Sequence, residues 1–329
     1  AGAAYVIMGA GIPTMIPGVL DGLSQHEPVS YGLNVVGAQP GDDTDARFDP
    51  RDFMEDDHPP LERPRFLPII ASNVLATTML RRSNGSVEGF VIEGPTAGGH
   101  NAPPRGKLQL NGRDEPIYGD RDVVDLAKIR DLGLPFWVAG QCASAEMLRE
   151  VLAAGGAGIQ VGTAFALCEE SGMAEEFRRG LLEGALAETS AVFTDRFASP
   201  TGFPFKVAQL EGSLSERDVY LARTRVCDLG YLREVYRKDD GTVGYRCASE
   251  PVEIFVAKGG DEAATVGRKC ICNALVANSG HPQLQKDGSV ERSLLTCGDD
   301  LAAIARFVPE GRTSYTAGDV ITKLLEVVA

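Results

Sequence analysis

Pro135-Phe-Trp-Val-Ala-Gly-Gln-Cys-Ala-Ser144-Ala-Glu-Met-Leu-Arg-Glu-Val-Leu-Ala-Ala-Gly155-Gly-Ala-Gly-Ile-Gln-Val-Gly-Thr163 reads as one strand–helix–strand unit. Phe136 to Ala139 is continuously apolar rather than alternating, the pattern of a strand covered on both faces in a parallel sheet. Ser144 is placed to cap a helix. Met147, Leu148, Val151 and Leu152 share one helical face, Gly155-Gly156 stops the helix, and Ala157 to Val161 is the next strand. This is one βαβ crossover of about 30 residues.

Apolar runs of the same kind precede it at Tyr5 to Met8, Phe66 to Ala71 and Gly89 to Ile92. Their spacing predicts an α/β fold built on a parallel sheet. Between them, Gly41 to Arg65 is acidic and proline-bearing, a surface excursion, and Asn101 to Tyr118 is a polar loop directly after a strand, where α/β enzymes bind ligands. From about Glu169 charged, helical segments dominate. Residues 1–176 therefore form the strand–helix region, 177–308 an appended, mainly helical region, and 309–329 a terminal helix packing back on the first. Within the second, Gly230-Tyr-Leu-Arg-Glu-Val-Tyr-Arg-Lys-Asp-Asp-Gly-Thr-Val-Gly-Tyr-Arg246 predicts a helix, a turn and a short extended piece. In the third, Thr316 or Ser314 caps a helix with Val320, Ile321, Leu324 and Leu325 on one face. The chain opens Ala-Gly-Ala-Ala-Tyr-Val-Ile-Met, almost directly into a strand, so its N-terminus is expected to lie upstream.

Composition narrows the function. The 329 residues are 43% hydrophobic and 24% charged, which excludes disorder over most of the length. Acidic residues outnumber basic ones 46 to 32, for a net charge of -14, so no phosphate backbone is expected as partner. No apolar run reaches the roughly 20 residues a membrane helix needs. Seven scattered cysteines fit a reducing cytoplasm. Cys270 and Cys272 are spaced C-x-C without a second pair or a nearby His, and His26, His58, His100 and His281 are dispersed, so no metal site is expected.

Chemistry gathers at three strand ends. Gly89-Phe-Val-Ile-Glu-Gly-Pro-Thr-Ala-Gly-Gly-His100 closes a buried strand with a glycine turn, followed by an ionisable ring. Such glycines permit left-handed backbone and close approach to a flat ligand; His100 serves there as acid, base or hydrogen-bond donor, or is incidental to a structural turn. Val138-Ala-Gly-Gln141 leads into a helix start, where free N–H groups favour anions. Gln160-Val-Gly-Thr163 ends the next strand, and adjacent strand ends of this kind cradle phosphate in (β/α)8 barrels. Gly9-Ala-Gly11 half-matches a dinucleotide fingerprint, but Thr14 holds the third glycine position and Pro13 and Pro17 interrupt the turn.

Together Gly94-Pro-Thr-Ala-Gly-Gly-His100, Val138-Ala-Gly-Gln141 and Gln160-Val-Gly-Thr-Ala-Phe165, with Met8-Gly-Ala-Gly-Ile-Pro13 before them, resemble the flavin barrel of the nitronate monooxygenases, formerly 2-nitropropane dioxygenases. FMN-dependent enoyl-acyl-carrier-protein reductases share that barrel. The resemblance spans residues 4 to 172. It implies a TIM (β/α)8 barrel with a non-covalent FMN, its phosphate on Gly140, Gln141, Gly162 and Thr163, and a wider cofactor-binding set of Gly9, Glu93, Gly94, Gly98, Gly99, Ala139 and Gln160. It makes His100 the catalytic base or anion-orienting group, acting on an alkyl nitronate or similar carbanion with dioxygen as partner. The alternatives it leaves are an enoyl-thioester reductase of fatty acid or polyketide synthesis, reduced by a nicotinamide, and an inactive flavin-barrel subunit. Two residues depart from the family pattern: Thr96 stands for a Glu and Gln141 for a Gly. If Tyr5 to Met8 is the fourth barrel strand, three βα units, about 90 residues, are absent before residue 1, and upstream sequence, a completing chain or a homo-oligomer is expected to supply the rest.

Overall fold

A computed structural model of the chain describes residues 3–9, 11–54 and 58–326. The first two residues of the opening segment, Ala10 of the Gly-Ala-Gly turn, three residues of the acidic excursion (55–57) and the last three residues of the tail lie outside the described residues.

In chain order the first half holds β1 (Tyr5–Met8), α1 (Ile16–Ser24), β2 (Val29–Gly32), β3 (Val35–Val36), β4 (Asp45–Phe48), β5 (Arg65–Ile70), α2 (Asn73–Arg82), β6 (Phe90–Glu93), α3 (Leu126–Arg130), β7 (Phe136–Ala139), α4 (Ala145–Ala153), β8 (Gly158–Gln160) and α5 (Thr163–Ala166). Strands β1, β5, β6, β7 and β8 pair in that order as an open parallel sheet. Register places Tyr5 opposite Arg65, Ile69 opposite Val91, Phe90 opposite Phe136 and Trp137 opposite Gly158. Sheet order follows chain order, so the C-terminal strand ends line up along one rim.

The strands are continuously apolar because both faces are used. Phe66, Ile70, Phe90, Ile92 and Phe136 pack with Ala76, Met79 and Ile129 of the helical layer. Leu67, Val91 and Ala139, with Ile69 and Trp137, form the opposite face. On β1, Tyr5 and Ile7 are 44% and 48% exposed. Local signals set the helix starts: Ser72 accepts from Leu75 N–H at 3.0 Å, and Ser144 from Met147 N–H at 3.1 Å. Gly155 then ends α4 in left-handed backbone (φ +89).

The second half holds α6 (Glu175–Leu186), β9 (Val192–Asp195), β10 (Phe205–Ala208), α7 (Arg217–Ala222), β11 (Glu234–Arg237), β12 (Val243–Arg246), α8 (Val252–Ala257), α9 (Ile271–Ala277) and α10 (Ala317–Leu325). It is more mixed than the helical region expected from charge patterning, since it carries two antiparallel strand pairs, β9 with β10 and β11 with β12. The helix predicted from Tyr231 onward is strand β11 instead. Asp240-Gly241 between two short apolar-alternating segments is a hairpin signal; Gly241 takes φ +84, and Lys238 N–H donates to Thr242 O at 2.7 Å. β11 also runs parallel to β3, and Arg237 Nε donates to Asp42 Oδ2 at 2.9 Å, tying the start of the acidic excursion to this region.

Thr316, not Ser314, caps α10, its hydroxyl accepting from Asp319 N–H while the Asp319 carboxylate accepts from Thr316 N–H. Val320 and Leu324 join a core with Leu167, Leu181, Leu301 and Tyr315. Ile321 and Leu325 stay half-exposed, so the buried stripe is narrower than the four residues expected. Thr316→Ala is expected to cost about 1 kcal/mol, read as a small drop in Tm by calorimetry. Among the described residues no helix is long and apolar enough to cross a membrane.

Candidate functional site

Most of the three strand-end segments meet at one cavity of about 300 Å³. Glu93, Gly98 and Gly99 reach it from β6, Ala139, Gly140 and Gln141 from β7, and Gln160, Gly162 and Thr163 from β8. Gly94 lines an adjoining cleft that shares Glu93, Ala139 and Gly140 with the first. Gly9, at the end of the edge strand β1, is not among the residues around either, and neither is His100.

Backbone geometry explains the glycines. A Cβ on Gly140 (φ +95) would lie 2.9 Å from Thr96 Oγ1 and 3.0 Å from Ala97 N, so the β6 and β7 loops interlock there. Gly99 (φ +80) and Gly162 have nothing within 4 Å of such an atom; they border open space. Gln141 takes left-handed backbone, φ +52, and its side chain is exposed. The backbone N–H groups of Gln141, Gly162 and Thr163 donate to no acceptor among the described residues.

A wall of the cavity comes from far along the sequence. Thr296, Cys297, Gly298 and Asp300 close it from the appended region. Gly99 N–H donates to Thr296 Oγ1 at 2.7 Å, Gly298 N–H to Thr163 Oγ1 at 2.9 Å, and Asp299 N–H to Thr96 O at 2.9 Å. A Cβ on Gly98 would sit 2.9 Å from the Cys297 carbonyl carbon, so the two segments touch backbone to backbone. Burial pushes the Glu93 carboxyl up to about 7, the Cys142 thiol up to about 11 and the Cys297 thiol up to about 12. Both thiols are therefore protonated and inert at neutral pH.

His100 is half-buried beside this cavity, its ring edge-on to Phe205 with centroids 4.9 Å apart. Its Nε2 lies 2.7 Å from Ser199 Oγ, which in turn lies 2.7 Å from Thr201 Oγ1. Burial lowers the imidazole below the usual 6.5, which favours the neutral ring. Asn101, just behind, donates to Ala97 O at 3.0 Å. The sequence reading missed Ser199, Phe205, Thr296 and Asp300, whose only signal is spatial. Among the described residues no three His, Cys, Asp or Glu side chains are grouped to hold a metal ion.

The test of fit for a flavin nucleotide rests on the unpartnered amides and the open glycines, which provide an anion cradle and a flat approach. They fit in shape, and the anion is met by N–H groups alone, since no Lys, Arg or His lines the cavity. The architecture is thus a ligand site at the carboxyl ends of a parallel α/β sheet. Residues 66–199 match the model of the nitronate monooxygenase family, in agreement with the resemblance carried by the motifs. A nitronate monooxygenase from Pseudomonas aeruginosa is 30% identical over 155 residues, 44% of this chain and 41% of that protein, so the match spans about two-fifths of that relative. Similar solved structures include a FabK variant from Thermotoga maritima (15% identity, 98% of this chain and 65% of that chain, TM-score 0.48) and a nitroalkane oxidase from Streptomyces ansochromogenes (18%, 80% and 58%, TM-score 0.43). A third is the enoyl reductase domain of MlnA from Bacillus amyloliquefaciens (10%, 98% and 74%, TM-score 0.49).

Proposed function

We propose that the protein is an FMN-dependent oxidoreductase of nitronate monooxygenase type, oxidising an alkyl nitronate or a related stabilised carbanion with dioxygen in the cytoplasm. The observation that carries this is the convergence of residues 93, 97–99, 139–141 and 160–163 on one cavity with three unpartnered amides, inside the segment that matches the family. The amides of Gln141, Gly162 and Thr163 would hold the phosphate, with Glu93, Gly98, Gly99, Ala139 and Gln160 toward the ring. Bound flavin supplies the electron transfer between carbanion and dioxygen; position and charge come from the protein. A neutral His100, its Nε2 fixed by Ser199, orients the substrate anion or takes its proton. Thr96 leaves the ring's surroundings without the acid that its position otherwise brings.

The protein mixed with FMN is expected to show a perturbed flavin spectrum and to bleach anaerobically on addition of an alkyl nitronate. No change in flavin absorbance or fluorescence would end the flavin reading. Bleaching by NADPH or NADH and not by a nitronate would instead identify an enoyl-thioester reductase, and bound flavin that no substrate reduces would indicate a silent subunit.

A further inference from the structure

One side chain of the cavity has no part in the flavin reading. Asp300 is buried, 6% exposed, and lines the same cavity as the amides of Gln141, Gly162 and Thr163. The Thr163 hydroxyl accepts from Gly298 N–H at 2.9 Å, which leaves its own proton for the Asp300 carboxyl it contacts. An anion in the cradle would therefore meet a buried carboxyl with no basic side chain lining the cavity to offset it.

We propose that Asp300 makes cofactor loading a proton-coupled event: the cradle accepts a phosphate monoester only when Asp300 is in its neutral, protonated form, so binding takes up one proton. This rests on the flavin reading above. Every charged or titratable group facing Asp300 points the same way or is weak. Asp299 is an acid whose carboxylate accepts from the buried Lys206 Nζ at 2.6 Å, and across the cavity Glu93 is an acid. Cys142, Cys297 and Tyr315 are protonated at neutral pH, burial holding each above its ordinary value. Of the nearby cations, the buried Lys206 is engaged by Asp299, and Arg306 on the turn Leu301–Phe307 is exposed, donates to Ala303 O at 2.8 Å and lies against the Phe307 ring. Desolvation already raises Asp300 above the usual carboxyl range before an anion arrives, and a phosphate beside it raises it further.

Linkage gives the sign. Above the pKa of Asp300 in the empty protein, the free state has lost the proton that the bound state keeps, so FMN affinity falls by about tenfold per pH unit. Below it the slope disappears, apart from the second ionisation of the phosphate itself near 6.

Flavin fluorescence titrations between pH 6.5 and 9 test this with FMN and with riboflavin, which lacks the phosphate. Wild type is expected to lose FMN affinity as pH rises, and Asp300→Asn to bind FMN with a markedly flatter profile. Riboflavin should show no slope that depends on Asp300. Calorimetry of the wild type in two buffers of different ionisation enthalpy counts the proton without any variant, and uptake approaching one per FMN is expected above the break. A flat wild-type profile with no proton uptake, or a slope that survives Asp300→Asn, would overturn the role of Asp300 while leaving the flavin site standing. Failure of both FMN and riboflavin to bind at any pH would overturn the flavin reading and this inference with it.

Discussion

Replacing His100 by asparagine is expected to lower nitronate turnover by about 10²–10⁴-fold, the range that one positioned acid–base group contributes, while the protein still binds FMN. The separation follows from the structure. His100 is not among the residues around the cradle, and its neighbour Gly99 is held independently through Thr296. Ser199→Ala, which removes the partner of Nε2 without touching the ring, should lose less activity than His100→Asn, because the imidazole remains but is no longer fixed. Equal turnover by wild type and His100→Asn, both flavin-loaded, would remove His100 from the chemistry.

The same residue sets a pH dependence. Burial lowers its folded-state pKa below the ordinary 6.5, and only the neutral ring accepts a proton. kcat/KM for a neutral nitroalkane, whose α-proton a base must take, should therefore rise as pH climbs through that lowered value and be flat through it in His100→Asn, while a preformed nitronate, which has no such proton to give, should lack this rise. For stability, the unfolded chain binds the proton more readily than the folded one. His100 thus costs nothing above 6.5 and destabilises progressively as pH falls through 6.5 to the folded value.

Local signals made the sheet readable before any coordinates. Continuous apolar runs at Phe66, Phe90 and Phe136, the Ser144 cap and the Gly155 stop depend on neighbours within a few residues, and each falls within about one residue of its expected place. Glycines at 98, 99, 140 and 162 were legible for the same reason: backbone conformation is a local property. Ser199 beside His100, and Thr296 to Asp300 beside Gly98 and Thr163, were not, because nothing in those segments marks which distant loop they meet. The hairpin at Asp240-Gly241 is different. Its signal was local, but Leu232 to Arg237 spaces its apolar residues ambiguously between the two periods, and pairing with Val35 and Val36 settles it as strand. Gly9 shows the limit of motif order, since a strand end two places along the sheet from β6 lies beyond this cavity.

Glu291→Ala should destabilise the protein by about 3–5 kcal/mol, the cost of stranding one charge of a buried pair. Arg223 Nε donates to Glu291 Oε1 at 2.8 Å and its Nη2 to Oε2 at 3.0 Å, with the two side chains 3% and 0% exposed. Among the described residues Arg223 Nη1 already has no hydrogen-bond partner, and neither does the buried Nη1 of Arg225. Glu291 lies at the head of the segment that continues through Ser293, whose carbonyl accepts from Leu214 N–H, and Leu294, whose N–H donates to Ala274 O, to the cavity wall at Thr296. Loosening it should weaken FMN binding as well as lower the urea midpoint, two readouts that Thr316→Ala should not couple. Replacing both partners, Arg223→Met with Glu291→Leu, should recover most of the stability, since apolar pairs of similar volume substitute for buried ion pairs at little or no cost. A Glu291→Ala protein as stable as wild type would mean that Arg223 reaches water, and that the appended region is packed more loosely around this pair than its burial indicates.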